Sequence, residues 1–251
     1  MSGPRDLDRR AFLTEQARAD LASTGVLRAG INYGNAVLAA RDATGELRGV
    51  HVDLARELAR RLAVALALEG HPAAGDLVDG LMAGRLDIAL LSTEPSRARD
   101  IVFSPAYLEI DATYLVPPGS PCRTAADADR AGARLAIAAR SVYEFFLRDH
   151  LRHARLVAAP STHAAFELFE REKLDALVGL RPRLEADRDK IPGARILEGR
   201  FMLVLQSIAT ARGRDAGAAY VRDFIGRAKA DGVVAAALEL HGVRGVSVAS
   251  R

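Results

Sequence analysis

Residues 76–97 read DLVDGLMAGRLDIALLSTEPSR, and this stretch decides the fold class. Its first part, Asp76–Ala83, has the apolar spacing of a short helix. Its second part, Leu86–Leu91, is an apolar run of strand length, of the kind that a sheet buries on both faces. A helix followed by such a strand is the unit from which α/β sheets are built.

The same alternation extends to both sides of this stretch. On the amino-terminal side, Val26–Ile31 predicts a strand, and His51–Val64 places apolar residues at helical spacing with arginines on the other face. On the carboxyl-terminal side the pattern predicts strands at 134–138, 155–158, 174–178 and 202–209 and helices at 141–153, 162–170, 215–229 and 231–241. The chain is therefore predicted to be an α/β protein with mainly parallel sheets.

The composition excludes several classes of protein. The chain has 251 residues, of which 49% are hydrophobic and 27% are charged. This length is enough for one large core or two ordinary ones, and the apolar fraction is too high for a disordered chain. The single cysteine, Cys122, excludes a disulfide framework and a multi-thiolate metal site within the chain. No apolar run reaches the roughly 18–20 residues that a bilayer requires, so we expect a soluble globular protein.

The charged residues do not indicate a nucleic-acid partner. Lys and Arg number 35 against 32 Asp and Glu, and the two signs are interspersed, as on a solvated helix face. A nucleic-acid surface would need a basic stripe with aromatic residues between the charges, and none is present. His150 and His153 are three residues apart near a predicted helix end, which suits the helix dipole better than a metal site. We therefore expect no metal and no cofactor.

Residues 1–24 are charged and predict an amphipathic helix that extends the amino terminus. Arg9-Arg10-Ala11-Phe12-Leu13 is superficially similar to a twin-arginine export signal, but charged residues follow it where such a signal needs an apolar segment. We therefore expect no signal peptide in the chain as written. It is either cytoplasmic or a mature form whose leader was removed.

Two extended stretches divide the remaining chain. Asp111–Pro118 ends in a double proline, and Arg195–Ser207 precedes the final helices. If the chain crosses between two lobes at these points, residues 25–112 and 203–251 form lobe 1 and residues 113–202 form an inserted lobe 2. Two α/β lobes joined by two crossings are predicted to form a hinged clamshell with a cleft.

A series of short motifs runs in order from about residue 24 to residue 245. These motifs are TGVLRAGI (24–31), GELRGVHVDLA (45–55), LVDGLMAGRLD (77–87), STEPSR (92–97), FSPAY (103–107) and KADG (229–232). Taken in this order, they resemble the amino-acid (family 3) extracellular solute-binding proteins of ABC importers, in which the second motif reads G-x-L-x-G-F-D-x-D-L-A and the fourth reads T-x-T-P-E-R. This resemblance implies a two-lobed, periplasmic-binding-protein-like fold with a mainly parallel sheet in each lobe.

The resemblance also implies a ligand site. Arg97 matches the arginine that clamps the ligand's α-carboxylate, a role that suits a planar guanidinium. Ser92 matches a hydroxyl that bonds the same carboxylate. Asn32, Tyr33 and Asn35 follow the first strand, where the family lines its cleft, although an ordinary turn is the other reading.

In lobe 2 the implied contact is Ser141, which falls where the family presents a helix N-terminus to the ligand. Ser141 and Glu144 also have the spacing of a capping box, so the serine caps its own helix in either case.

Three departures leave the ligand class open. Leu180, followed by Arg181, stands where the family commonly has an aspartate for the ligand's ammonium group. The family often has an aromatic residue shortly before the helix at 77–81, where this chain has PAAG (72–75), and Arg140 replaces the family's glycine before the serine. If Arg97, Arg140 and Arg181 all face the cleft, the ligand is a dicarboxylate or another organic acid. Otherwise it is an amino acid whose ammonium group is held by Glu94 or by carbonyl groups.

The function implied is a non-catalytic, monomeric solute-binding protein that delivers a small carboxylate ligand to the membrane subunits of an ABC importer. The family implies a periplasmic location. One alternative is an enzyme on the same fold, similar to cyclohexadienyl or arogenate dehydratases, with Glu94, Glu109 or His71 as the acid or base. The other alternative is a ligand-sensing domain whose output depends on a separate partner.

Overall fold

The computed structural model describes the backbone of residues 4–250 and the side chains of residues 13–250. Of the predicted amino-terminal extension, residues 1–3 and the side chains of residues 4–12, including the paired arginines, lie outside the described part. In chain order the helices are α1 (Pro4–Leu21), α2 (Val50–Leu62), α3 (Ala74–Met82), α4 (Val142–His150), α5 (Thr162–Arg171), α6 (Arg181–Arg188), α7 (Asp215–Ala230) and α8 (Val233–Leu240). The strands are β1 (Val26–Asn32), β2 (Ala40–Arg41), β3 (Leu47–Arg48), β4 (Ala65–His71), β5 (Ile88–Ser92), β6 (Ile101–Phe103), β7 (Leu108–Val116), β8 (Arg134–Ala138), β9 (Arg155–Ala159), β10 (Ala176–Leu180), β11 (Arg195–Ile196), β12 (Met202–Ala211) and β13 (Val246–Val248).

The chain divides into two compact units. Unit 1 comprises Met1–Leu108, Gln206–Val243 and Val248–Arg251, and unit 2 comprises Glu109–Leu205 and Arg244–Ser247. The chain thus enters unit 2 after Leu108 and returns at Gln206, inside strand β12. The short segment before the carboxyl terminus groups with unit 2 once more.

The sheet of unit 1 is built around β5. This strand is parallel to β1, which is in turn parallel to β4, and the second half of β12 pairs with β5 in the antiparallel direction. Ile88, Ala89, Leu90 and Leu91 are all fully buried, as the apolar run predicts for a strand covered on both faces.

Helices α2 and α3 contribute the apolar faces that cover unit 1. Val52, Leu54, Ala55 and Leu58 of α2 are buried at helical spacing, as expected. Helix α3 packs Leu77 and Leu81 with Leu86, Leu91 and Ile101 in one core cluster. Gly30 and Gly80 permit this approach, because a Cβ atom on either would lie within 2.7 Å of Leu86 Cδ1.

Unit 2 has its own sheet and core. β8 is parallel to β9 and β10, while β7 pairs with β10 and β11 in the antiparallel direction. The core cluster combines side chains of α5, α6, β7, β8 and β10, among them Phe166, Phe169, Leu177 and Leu184. Parallel strands therefore predominate around β8.

Several elements were not predicted as such, among them β7, β4 and α6. The stretch expected to be an extended joint, 111–118, is largely strand β7, whose side chains are mostly buried. β4 alternates exposed and half-buried residues and lacks the apolar run of a central strand. α6 begins at Arg181 with Pro182 in its first turn, a position where proline's missing N–H costs nothing.

The helix predicted at 141–153 ends earlier, at His150. The carboxylate of Asp129 accepts hydrogen bonds from the backbone N–H groups of Arg152, His153 and Ala154 at 2.8–2.9 Å. These bonds hold the chain in a turn, because the three N–H groups are no longer available to a continuing helix. His150 stacks on Phe146 at 3.8 Å and its Nδ1 is 2.7 Å from the Phe146 carbonyl oxygen, so it contacts its own helix.

Two properties of the described residues bear on membranes and metals. Over the described residues, no helix is both long and apolar enough to cross a membrane. The same residues contain no group of three or more His, Cys, Asp or Glu side chains arranged to hold a metal ion.

Candidate functional site

In unit 1 the predicted site residues begin at the carboxyl end of β5, the edge where open α/β sheets bind ligands. Ser92 is the last residue of β5 and pairs in register with Gln206 of β12. Gln206 Nε2 donates to Ser92 Oγ at 3.0 Å, and the hydroxyls of the residues that follow each of them, Thr93 and Ser207, are hydrogen-bonded at 2.8 Å. Because Ser92 Oγ accepts from Gln206, its own proton points elsewhere and can be donated to an anion.

A 3-10 turn at Pro95–Arg99 follows directly, and Glu94 caps it. The Glu94 carboxylate accepts from the backbone N–H groups of Ser96 (3.0 Å) and Arg97 (3.2 Å) and from the Ser96 hydroxyl. Glu94 Oε2 also lies 3.9 Å from Arg97 Nε. The side chain predicted to hold a ligand's ammonium group is therefore engaged with its own turn.

Arg97 is the predicted carboxylate clamp, and it is only 8% exposed. A guanidinium keeps its charge when buried, so this position presents a fixed cation at the end of β5. Its charge is balanced in part by Glu94, which belongs to the same turn. Ser92 thus ends β5, and Glu94 and Arg97 belong to the turn that follows it.

Asn32, Tyr33 and Asn35 lie at the end of β1, the strand next to β5. Asn32 Oδ1 accepts from the Gly34 N–H at 3.1 Å, which forms an Asx-type turn. The Arg41 guanidinium lies over the Tyr33 ring, 4.9 Å from its centroid. Asn35 Oδ1 is buried and has no hydrogen-bond partner in the part of the chain that the structure describes. The ordinary-turn reading therefore holds for Asn32, whose side chain is used locally.

In unit 2, Ser141 caps α4. Its hydroxyl accepts from the Glu144 N–H at 3.2 Å and donates to the Ala138 carbonyl at 2.7 Å. The buried Glu144 carboxylate accepts from the Arg140 N–H and lies 2.9 Å from an Arg148 nitrogen. In a capping box the Glu144 carboxylate would accept from the backbone N–H of Ser141. Here it accepts from the N–H of Arg140, one residue before the cap.

Arg140 has a backbone φ of 58°, in the left-handed region that side chains disfavour. This conformation explains why the resembling family carries glycine at the matching position, since glycine adopts it without steric cost. The bond from its N–H to Glu144 helps to hold the strained residue in place.

Arg181 follows β10, which is adjacent to β8. Its guanidinium donates to the Gly199 carbonyl at 2.6 Å and lies 3.6 Å from Asp111 Oδ2. Asp111 also pairs with Arg200 at 3.1 Å. Arg140, Ser141 and Arg181 therefore lie at the carboxyl ends of neighbouring parallel strands, and Arg181 has a counter-ion in its own unit.

Sequence reasoning missed Gln206 and Asp111. Gln206 is fully buried, and its Oε1 has no partner among the described residues. A polar residue inside the apolar strand MLVLQSIATA was the available signal. For Asp111 the sequence offered no such signal, because its partners Arg181 and Arg200 lie 70 and 89 residues away along the chain.

Of the predicted acid–base candidates, Glu94 is used by its turn, and His71 Nε2 lies 2.7 Å from Glu69 Oε1. The strongly perturbed imidazole is instead His51, at the start of α2. Complete burial lowers the pKa of His51 to about 3, and burial also raises the pKa of its neighbour Tyr107. Their ring centroids are 6.1 Å apart in an edge-to-face arrangement, and neither side chain has a hydrogen-bond partner in the described part. His51 is neutral at physiological pH.

The chain was compared with known proteins. The sequence profile of the bacterial extracellular solute-binding proteins, family 3, matches residues 27–241. No curated protein is similar to the chain in sequence.

Solved structures match the chain as a whole, each at a sequence identity that supports only the fold. The solute receptor for L-cysteine of Neisseria gonorrhoeae has a TM-score of 0.79 at 20% identity, covering 92% of this chain and 95% of its own. A histidine kinase sensor domain similar to periplasmic binding proteins has a TM-score of 0.78 at 17% identity, covering 89% and 98%. The ancestral amino-acid-binding protein AncCDT-1, a precursor of cyclohexadienyl dehydratase, has a TM-score of 0.76 at 21% identity, covering 91% and 98%. These matches confirm the predicted two-lobed, periplasmic-binding-protein-like α/β fold.

Proposed function

The chain belongs to family 3 of the bacterial extracellular solute-binding proteins, and from this we propose that it binds a small amino acid or organic acid through a carboxylate and delivers it to an ABC-type importer. The observation that supports the proposal best is the buried Arg97 in the turn that directly follows β5, the strand that ends at Ser92. Family membership supports a location outside the cytoplasm and a transporter as partner.

In the proposed complex, Arg97 provides the two parallel donors that match a carboxylate's planar geometry. Ser92 adds a third donor, since Gln206 already supplies the hydrogen bond that its oxygen accepts. Gln206 is thus a positioning residue, which fixes the direction of the Ser92 proton. Contributions from Arg140, Ser141 and Arg181 of unit 2 remain predictions.

The charges around the arginines leave the number of ligand carboxylates open. A dicarboxylate is expected if Arg97, Arg140 and Arg181 all face the ligand. Glu94 lies close to Arg97 and reduces the positive charge there. Asp111 is shared by Arg181 and Arg200, so that cluster keeps one positive charge. The proposal therefore keeps both amino acids and organic acids, including dicarboxylates, as candidates.

The binding function is also favoured over catalysis on this fold. A general acid or base needs a carboxyl or imidazole group that can reach the substrate. The Glu94 oxygens cap a turn, His71 is paired with Glu69, and His51 is buried, so Glu109, half-buried in β7, is the predicted candidate that the enzyme alternative retains.

The deciding experiment is a thermal-shift screen of the protein against amino acids, monocarboxylic acids and dicarboxylic acids. A ligand present at 100 times its Kd stabilises the folded state by about 2.7 kcal/mol, which raises Tm measurably. We expect Arg97→Ala to abolish the shift that the best ligand produces. The matched control is Arg99→Ala, because Arg99 lies in the same turn with its side chain 86% exposed. An equal shift in wild type and Arg97→Ala would contradict the carboxylate-clamp assignment, and turnover of the best ligand would favour the enzyme alternative.

A further inference from the structure

A cavity of about 730 Å³ lies wholly within unit 2, apart from all the residues of the proposed solute site. Its walls come from the loop after β7, from the end of α6 and from β11 with the residues that follow it. The lining residues that matter for its chemistry are Ser120, Arg123, Arg188, Arg195, Ile196 and Glu198. Pockets for small molecules commonly measure about 300–1,000 Å³, so the volume fits such a ligand.

The walls are held by specific bonds, so the cavity is formed without a ligand. β11 pairs with the end of β7 through Arg195 and Val116. The Arg195 guanidinium donates to the carbonyl oxygens of Ser120 (2.8 Å) and Cys122 (3.1 Å), which ties the loop to the strand. Beyond it, the Glu198 N–H donates to the Arg123 carbonyl at 3.0 Å.

The cavity carries more positive than negative charge. Three arginines line it against one carboxylate, that of Glu198. Arg188 has a counter-ion, since its guanidinium lies 2.8 Å from Asp189 Oδ1. Among the residues that the structure describes, Arg195 donates only to backbone carbonyls, which leave its charge in place.

Besides Arg195, Arg123 also lines the cavity without a counter-ion. Its guanidinium makes no hydrogen bond or ion pair within the described part of the chain. The nearby Asp127 carboxylate is already bonded to the backbone N–H groups of Thr124 and Arg123, at 2.8 Å each. These bonds, with a smaller contribution from the Arg123 charge, lower the pKa of Asp127. Two guanidinium groups without a bound carboxylate thus line one cavity, an arrangement suited to an oxyanion.

We propose that this cavity is a second ligand site, which binds a small molecule through a carboxylate or phosphate group. Arg123 and Arg195 hold the oxyanion. Glu198 accepts a hydrogen bond from a hydroxyl or amino group of the same molecule, and Ile196 contacts its carbon skeleton. None of these residues belongs to the solute site of unit 1. The two sites therefore share no residue, and the second site does not rest on the proposed transport function.

The experiment is isothermal titration of the full chain with inorganic phosphate and, separately, with citrate, at constant ionic strength. We expect at least one probe to bind wild type, and Arg123→Gln to bind it about tenfold more weakly, since charge-assisted bonds are lost. The matched control is Arg155→Gln, because Arg155 is an exposed arginine of unit 2 outside the cavity. Citrate belongs to the class of ligand proposed for the solute site, so the titrations are repeated in Arg97→Ala, where Arg123→Gln is expected to cause the same loss, which assigns that loss to this cavity.

The probes distinguish the two chemistries, since binding of phosphate alone indicates a phosphate ester and binding of citrate alone indicates a carboxylic acid. Unchanged affinity in Arg123→Gln would overturn the proposal. So would an equal loss in Arg155→Gln, which indicates general charge attraction, or the failure of both probes to bind. The unfolding temperatures of the unliganded variants serve as the check that each one folds.

Discussion

Arg97 Nε lies 3.9 Å from Glu94 Oε2 in unit 1, and both side chains are about nine-tenths buried. The carboxylate that balances the proposed ligand-binding cation therefore comes from the protein's own turn. In the resembling pattern T-x-T-P-E-R the position of Glu94 is a threonine, which can cap the turn without a charge. The glutamate thus sets how strongly Arg97 attracts an external carboxylate.

We expect Glu94→Gln to bind a carboxylate ligand about tenfold more tightly, which corresponds to about 1.4 kcal/mol. The amide keeps an acceptor oxygen for the Ser96 N–H but removes the negative charge beside Arg97. Two unit charges 4 Å apart interact by about 4 kcal/mol at an effective dielectric of 20, so a change of this size uses only part of that energy. Titration calorimetry with the best ligand of the screen measures it.

The control for this prediction is Asp100→Asn, which removes a carboxylate at the end of the same turn that pairs with Arg99 and not with the Arg97 guanidinium. It is expected to leave the affinity unchanged. Weaker binding by Glu94→Gln would mean that the carboxylate itself contacts the ligand, as in the ammonium-binding alternative.

Gln206→Leu is expected to weaken ligand binding by about three- to tenfold, the value of one neutral hydrogen bond. The side chain positions the Ser92 hydroxyl from β12, and leucine leaves that hydroxyl free to turn away. Folding stability should change by less than about 1 kcal/mol, because the substitution also removes the buried Oε1 that lacks a partner. Thr210→Val, on the same strand, is the control: it removes another unpartnered buried oxygen but makes no contact with Ser92. Equal loss of affinity in both variants would show that the strand as a whole matters, and not the bond to Ser92.

Glu144→Ala is expected to destabilise the protein by about 1–3 kcal/mol, the cost of leaving buried donors unsatisfied. The carboxylate holds the N–H of Arg140 in its left-handed conformation and pairs with Arg148. Urea denaturation measures the free energy of unfolding. Glu167→Ala is the comparison, since that carboxylate on α5 is 58% exposed and its loss should change stability by no more than about 0.5 kcal/mol. Equal effects of the two substitutions would contradict the structural role of Glu144.

His51 makes stability depend on pH. Its pKa is lowered by burial to about 3 in the folded chain, against about 6.5 when unfolded. Below pH 6.5 the unfolded state takes up a proton that the folded state refuses, so this contribution to stability is complete above pH 6.5 and is lost as pH falls towards 3. The loss is about 1.4 kcal/mol per pH unit within that window.

His51→Leu, of similar volume and without a titratable group, should flatten the decline of stability between pH 6.5 and pH 4.5. Thermal denaturation across that range measures it, with His163→Gln as the control because His163 is 71% exposed. A decline as steep in His51→Leu as in wild type would assign the pH dependence to other groups.

The amino-acid sequence by itself determined the elements whose pattern is local. Apolar spacing located α2, α3, β1 and β5, and the order of short motifs identified the family, because helices and buried strands repeat their apolar residues at fixed intervals. The grouping of Ser92, Glu94 and Arg97 was also predictable, since all three lie within six residues. β4 and most of β7 were not found as strands, because β4 has no buried face of its own and β7 resembles an extended linker in composition.

Only the tertiary structure decided which partner each charged or polar side chain takes. Arg181 pairs with Asp111, and Gln206 bonds to Ser92 across 114 residues of chain. Such pairs depend on which strands become neighbours, and strand order is set by the packing of whole elements and not by any local pattern. The same reason applies to the cavity of unit 2, whose arginines come from three separate segments. Residue types predict what a site can bind, while the fold decides which of those residues are already engaged with each other.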